Sequence, residues 1–327
     1  MEEEKNLFEN RVDLSKLSES VDKIRAEIGK VIIGQHKTID LIITSLLADG
    51  HVLIEGVPGV AKTLISKLVA RSIDARFSRI QFTPDLMPSD ILGTSVFNQQ
   101  KMSFEFNSGP IFSQIVLIDE INRAPAKTQA ALFEVMDERQ VTIDGKTHKM
   151  EEPFLVLATQ NPIEQEGTYR LPEAQLDRFL FKISMDYPDF NEEVSILSSH
   201  HKRGSTKSVE SIDTVLPGKE LLDYREKVKK LHIEAPLMHY IASLVQATRK
   251  DRSIYLGASP RASVHLMNAS KAFAALQGRD FVTPEDIVFT AIPVMRHRIL
   301  LTPEKEMEGG TAEEVLQQII DKTEIPR

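Results

Sequence analysis

A doubly wound α/β domain followed by a helical one is the fold class this sequence predicts. Four short apolar runs look like buried strands of a parallel sheet: "HVLIEG" (51–56), "FSRIQFT" (77–83), "IVLID" (115–119) and "FLVLATQ" (154–160). Helical patterns separate them, notably "KTLISKLVARSI" (62–73) and "KTQAALFEVMDER" (127–139). Strands that alternate with helices imply a parallel sheet with helices on both sides. After about residue 188 a polar Ser/Lys/Gly stretch intervenes, and only helical periodicity follows. The expected division is therefore an α/β nucleotide-binding domain over 1–188 and a helical domain over 189–327.

The second part reads as successive helices: "ELLDYREKVKKLHI", "PLMHYIASLVQATRKD", "PRASVHLMNASKAFAALQG" and "TPEDIVFTAIPVMRHRI". Thr283 and Thr302, each followed by Pro and Glu, have the form of N-caps with proline at the first helical position.

With 327 residues, 41% hydrophobic and 27% charged, the chain is expected to fold as a soluble protein with a substantial core. It has no cysteine, so disulfide and thiol chemistry are excluded, and a reducing, cytoplasmic setting is expected. The acidic start "MEEEKNLFEN" lacks the apolar core of a secretory signal, and no apolar run reaches the roughly 18–20 residues that span a bilayer. Basic residues number 40 against 48 acidic, a net charge of −8, which argues against a broad nucleic-acid-binding surface.

Ligands of open α/β sheets bind beyond the carboxyl ends of the strands. There the first strand leads into "GVPGVAKT", which opens a helix. Such a strand–loop–helix context suits a phosphate cradle, in which successive backbone N–H groups and the helix N-terminus face the anion. The loop comprises Gly56, Val57, Pro58, Gly59, Val60, Ala61, Lys62, Thr63 and Leu64. Lys62 would reach the terminal phosphates of ATP, and the Thr63 hydroxyl would ligate Mg²⁺. Ala61 stands where the usual pattern has a second glycine. A negative φ at Ala61, with little cost, is the expectation; a left-handed alanine would cost on the order of 1 kcal/mol and weigh against a fully competent loop.

Three further strand-end features bear on the loop. "QIVLIDEINRA" puts Asp119 and Glu120 at the end of a buried strand, where adjacent carboxylates suit a cation and an activated water. A strand-end pair simply turned to solvent is the competing reading. "FLVLATQNP" ends in Asn161, placed to orient that water, although a lone strand-end asparagine is more often a turn former. Arg178 in "LPEAQLDRF" and Arg261 in "GASPRASVHL" are candidates to stabilise charge on a transferring phosphate; either taken singly is as readily a surface or salt-bridged residue.

The ordered set "GVPGVAKT", "IVLIDEINRA", "LATQNP", "LPEAQLDRF" and "GASPRA", with "QFTPDLMPSDILG" (81–93), "FNSGPIF" and "EVMDERQVTIDG", resembles the MoxR family of AAA+ ATPases from "VIIGQ" (31–35) to about residue 300. The resemblance implies a P-loop, doubly wound parallel sheet (the AAA+ core) with a C-terminal all-helical lid, and Mg²⁺-dependent ATP hydrolysis. It implies Lys62, Thr63, Asp119 and Glu120 as the Walker A and B residues, Asn161 as sensor 1 and Arg261 as sensor 2, in cis or in trans. Arg178 resembles the arginine finger that acts on a neighbouring subunit's nucleotide, with Arg170 the alternative. Gly34 and Gln35 fall where adenine is contacted. An alanine before the Walker lysine is familiar in the family. Hairpins at about 93–108 and 140–151, the latter with Asp144-Gly145 at its tip, match the family's insertions.

The implied function is that of a homo-oligomeric, hexameric ATPase that remodels or activates a client protein, with a partner bearing a von Willebrand A domain. A DNA-directed motor or loader is the alternative, disfavoured by the acidic balance. A nucleotide-gated binding module with negligible turnover is the third reading.

Overall fold

The computed structural model describes residues 13–161, 169, 171–203, 209 and 212–326, the side chains of 200, 202 and 203 excepted. The strands in chain order are β1 (His51–Gly56), β2 (Phe77–Gln81), β3 (Gly93–Asn98), β4 (Ser103–Ser108), β5 (Ile115–Asp119), β6 (Gln140–Ile143), β7 (Lys146–Lys149), β8 (Leu155–Gln160), β9 (Phe179–Met185), β10 (Ile254–Leu256) and β11 (Leu300–Leu301). Five of them form one sheet in the order β2-β5-β8-β1-β9, and all its pairings are parallel.

Side-chain alternation makes this sheet two-faced. Val52, Ile54, Ile115, Leu117, Leu155 and Leu157 enter one buried cluster, while Leu53, Val116, Ile118, Val156 and Ala158 enter the other. Because both faces are covered, the central strands β1, β5 and β8 read as largely apolar runs, the signal used in the sequence. The fifth strand was not anticipated. β9 is at the sheet's edge, and the partly exposed Lys182 and the exposed Ser184 break up its apolar character. Lys182 extends along the sheet to Glu55 of β1 at 3.0 Å.

The two hairpins form as expected, β3 with β4 and β6 with β7. The second turns through Asp144 (φ 50) and Gly145 (φ 75), both left-handed, as a two-residue turn matched to strand twist requires.

Beyond β9 the helices Gly218–Lys229, Ala235–Thr248, Pro260–Leu276 and Pro284–Met295 lie where the periodicity predicts. Thr283 forms a capping box with Asp286, and the Thr302 hydroxyl accepts from the Lys305 amide. This region is not wholly helical: β10 and β11 pair antiparallel. Its apolar residues, among them Leu266, Ala272, Ile287 and Leu316, continue the same buried cluster as one face of the sheet. The helical layer is thus packed on the sheet rather than tethered to it.

Candidate nucleotide site

Three adjacent central strands deliver the predicted residues. β1 runs into the loop, β5 ends at Asp119, and β8 ends one residue before Asn161. The pairing Glu55↔Gln160 brings Asn161, which is buried, level with Gly56. Gly34, Gln35 and the loop residues from Gly56 to Leu64 all lie at this carboxyl end of the sheet, since the Gln35 amide donates to the carbonyl of Asp186 just beyond β9.

The loop departs from expectation at Ala61. Its backbone is left-handed, φ 63 and ψ 23, not negative. Gly59, with φ 91, is also left-handed. The helix begins at Lys62, and a left-handed residue directly before a right-handed one turns consecutive amides into one concavity, the geometry that binds anions. The conformation therefore belongs to the cradle, and alanine bears a steric cost of about 1–2 kcal/mol for adopting it. That cost falls on fold stability; the direction of the amides depends on φ and ψ, not on the methyl group. Gly56 has a different constraint, since a Cβ there would lie 2.7 Å from the Met185 carbonyl oxygen. The Lys62 ammonium donates to the Gly56 carbonyl at 2.6 Å, so the cation is folded back over the loop it serves.

The acid pair is held from two sides. Asp119 is buried and accepts from Arg79 Nε at 2.5 Å and from the Thr159 hydroxyl at 3.2 Å. Glu120 is left-handed, φ 59, and its amide donates to the same Thr159 hydroxyl oxygen at 3.0 Å. Its carboxylate accepts from Gln81 at 2.7 Å and pairs with Arg123 at 3.0 Å. A left-handed, non-glycine residue is strained, and such strain concentrates at functional sites. Asp119 is thus engaged by the strands on either side of it, while the partly exposed Glu120 is held by Gln81 and by Arg123 of its own turn.

Arg79 and Gln81, two apart on β2, were missed in the sequence. The available signal was a pair of polar residues on one face of the strand, flanking the buried Ile80. What the sequence did not carry was that β2 lies beside β5.

Gly34 (φ 72) and Gln35 (φ 58) form a left-handed turn before the helix His36–Leu47. A Cβ on Gly34 would collide with the Glu192 carboxylate at 2.1 Å. Gln35 Oε1 accepts from Thr38 at 3.0 Å. The adjoining cleft, about 510 Å³, is lined by Gln35, Thr38, Ile183, Tyr187 and Ile292 among others.

The two arginines lie elsewhere. Arg178 immediately precedes β9, whose first residue pairs with His51 at the start of β1. It is ion-paired with Asp137 and donates to the Phe133 carbonyl at 3.4 Å, while its buried Nε has no partner among the described residues. Arg261, half exposed, lies 3.8 Å from the carboxylate of Asp177. Both therefore stand at the amino end of the sheet, away from the phosphate loop. Arg170 lies outside the described residues.

The family description "ATPase family associated with various cellular activities (AAA)" matches residues 51–181, and "AAA lid domain" matches 246–319. Chaperone MoxR1 of Mycobacterium tuberculosis is 43% identical over 92% of this chain and 81% of its own length. The chain belongs to the MoxR family of AAA+ ATPases. YeaC of Bacillus subtilis is 46% identical over 91% of this chain and 92% of its own. Protein MoxR of Paracoccus denitrificans is 32% identical over 86% and 88%. The crystal structure of an ATPase candidate from Cytophaga hutchinsonii superposes with a TM-score of 0.87 at 42% identity, covering 95% of this chain and 96% of that one. As a MoxR-family ATPase the protein binds nucleotide and hydrolyses ATP. Among the described residues, no helix is long and apolar enough to cross a membrane.

Proposed function

We propose that this MoxR-family ATPase works as a closed, head-to-tail homo-oligomer, a hexameric cytoplasmic ring, in which each site is completed by the next subunit and hydrolysis remodels a client protein. The observation that carries this reading is the separation of the arginines from the loop. β1 spans six residues, about 17 Å at roughly 3.3 Å per residue, with Arg178 beside its first residue and the loop after its last. No arginine side chain extends that far. Arg178 and Arg261 are a poor fit to their own subunit's nucleotide, so both are assigned to act in trans.

In this reading the loop amides and Lys62 bind the phosphates, and Gly34 and Gln35 border the adenine. Glu120 accepts a proton from the attacking water, which Asn161 orients. The water oxygen bonds to the γ-phosphorus as the bond to the β-bridging oxygen breaks, releasing ADP and phosphate. Arg178 and Arg261 of the neighbour stabilise the charge that gathers on the transferring oxygens. Thr63 and Asp119 offer an all-oxygen donor set that suits a hard cation, and they would hold Mg²⁺, which when bound neutralises phosphate charge. Arg79, now on Asp119, would then yield that carboxylate. Chaperone MoxR1, by name, supports the client-directed role, which could run through a partner with a von Willebrand A domain.

The test is ATP turnover per subunit measured across protein concentration, with the assembly state followed by sedimentation. Turnover should rise as monomers give way to rings. A monomer that turns over as fast as the assembly would overturn the shared site.

A further inference from the structure

A buried polar assembly outside the loop surrounds Asp177, the residue before Arg178. Arg298, from the helical layer, has a side chain only 1% exposed. Its Nε donates to the Asp177 carboxylate at 2.7 Å. One terminal nitrogen donates to two backbone carbonyls, Asp177 at 3.1 Å and Phe179 at 2.5 Å. Those carbonyls flank Arg178 on either side. The same nitrogen lies 2.5 Å from His265 Nδ1, and burial holds His265 down at about 4, so its ring is neutral and accepts. The other terminal nitrogen reaches Leu180 O at 3.3 Å. His297 Nε2 adds a second contact to the Phe179 carbonyl at 3.0 Å.

Asp177 also accepts from the Ser259 hydroxyl at 3.2 Å, and Ser259 is the residue directly before the helix that carries Arg261. Arg261 itself is 3.8 Å away. One carboxylate thus joins the base of Arg178 to the base of Arg261, and one buried arginine fixes that carboxylate. Burial lowers Arg298 to about 10, which leaves it cationic at neutral pH.

We propose that Arg298 is a positioning residue for catalysis in the neighbouring subunit: it locks the backbone on both sides of Arg178 and, through Asp177, ties Arg178 and Arg261 into one rigid donor unit moved by the helical layer. This rests on the in-trans reading above. A guanidinium fork is suited to the task because its fixed, planar donors can serve a carboxylate and two carbonyls at once, which a lysine ammonium does not reproduce.

The test is subunit mixing with two variants, Arg298→Met and the milder Arg298→Lys, the second keeping the charge opposite Asp177. Each should bind ATP as the unsubstituted protein does, because its loop is untouched, while turnover falls roughly 10- to 100-fold from misplacement of the donor arginines. Mixed with Glu120→Gln subunits, whose arginines are intact, the variant's own sites should regain turnover. Mixed with Arg178→Ala subunits they should not, since neither partner then supplies a placed arginine. Damage spread through the variant would recover in neither mixture and would refute the proposal. So would Arg298→Lys that turns over within about twofold of the unsubstituted protein, beyond which a displaced donor should register. A parallel mixture of Arg178→Ala with Glu120→Gln reports on the in-trans reading separately, so its failure is not confused with failure of the Arg298 assignment.

Discussion

At the carboxyl ends of β1, β5 and β8 the chain relies on left-handed backbone, at Gly59 and at the strained Ala61 and Glu120, around a lysine folded onto its own loop. At the amino end of β9 it relies on buried side chains, with Arg298, His265, His297 and Ser259 converging on Asp177–Phe179. The first end must open to admit a nucleotide, so its groups are held by bonds that exchange readily for phosphate. The second end, on the reading proposed here, presents a charge to another molecule and has no ligand of its own to order it. Its geometry has to be built in beforehand. A binding end can borrow rigidity from what it binds; a donating end cannot.

The largest expected effect breaks the first end alone. Lys62→Ala removes the main cation facing the phosphates and should weaken ATP binding about 100-fold, near 3 kcal/mol for a charge-assisted contact, measured by titration with a fluorescent nucleotide. The same subunits should still donate Arg178 to a neighbour, because Arg178 stands beside the first residue of β1 and the loop follows its last. Unchanged ATP affinity would remove Lys62 from its assigned role.

Acid should act on the buried framework, at the donor end above all. Burial holds His265 down at about 4 and His297 well below its ordinary value; in both, the cation of Arg298 adds to the effect. Under the central strands His51 is held at about 3, chiefly by burial, with Arg139 adding to it. Each is neutral when folded, so the unfolded chain takes up protons first once pH falls below about 6.5. The stability they contribute is complete above that pH and is lost progressively toward pH 4. Denaturant titrations across this window should show the midpoint falling with pH, and a flat profile would contradict the buried, neutral imidazoles. His265→Gln should flatten part of the slope.

The smallest effect sharpens the account of the loop. Ala61→Gly relieves a steric cost of about 1 kcal/mol, partly offset by the added freedom of glycine in the unfolded chain. A gain near 0.5 kcal/mol, with turnover unchanged, is expected from thermal unfolding and a steady-state assay. A loss of stability would mean that the left-handed conformation is not strained.

The same contrast explains what was legible in the sequence. The loop end is contiguous: "GVPGVAKT" follows a strand and opens a helix, and Asp119 and Asn161 each end or follow an apolar run. Period and punctuation alone placed them together. The sign of φ at Ala61 was misjudged because the residue's small size was weighed and the turn required by the amides was not. β9 escaped notice because Lys182 and Ser184 interrupt the apolar run of "FLFKISM". The donor end was invisible for a different reason. Asp177 and Arg298 are 121 residues apart, and nothing local to "RHRIL" distinguishes a buried clamp from a charged helix end. The position of Arg261 relative to its own loop was likewise open until the helical layer could be seen on the sheet.

The shared site is tested most directly by mixing Arg178→Ala subunits with Glu120→Gln subunits and measuring ATP turnover. Each alone should bind ATP and be nearly inactive, with Arg178→Ala lowered by about 10³-fold, the scale of an arginine finger. Together they should recover a clear fraction of the unsubstituted rate, because an Arg178→Ala site can meet an intact arginine from its Glu120→Gln neighbour. Mixed assemblies that form, as shown by mass, yet remain as inactive as their components would contradict the claim that Arg178 serves the next subunit.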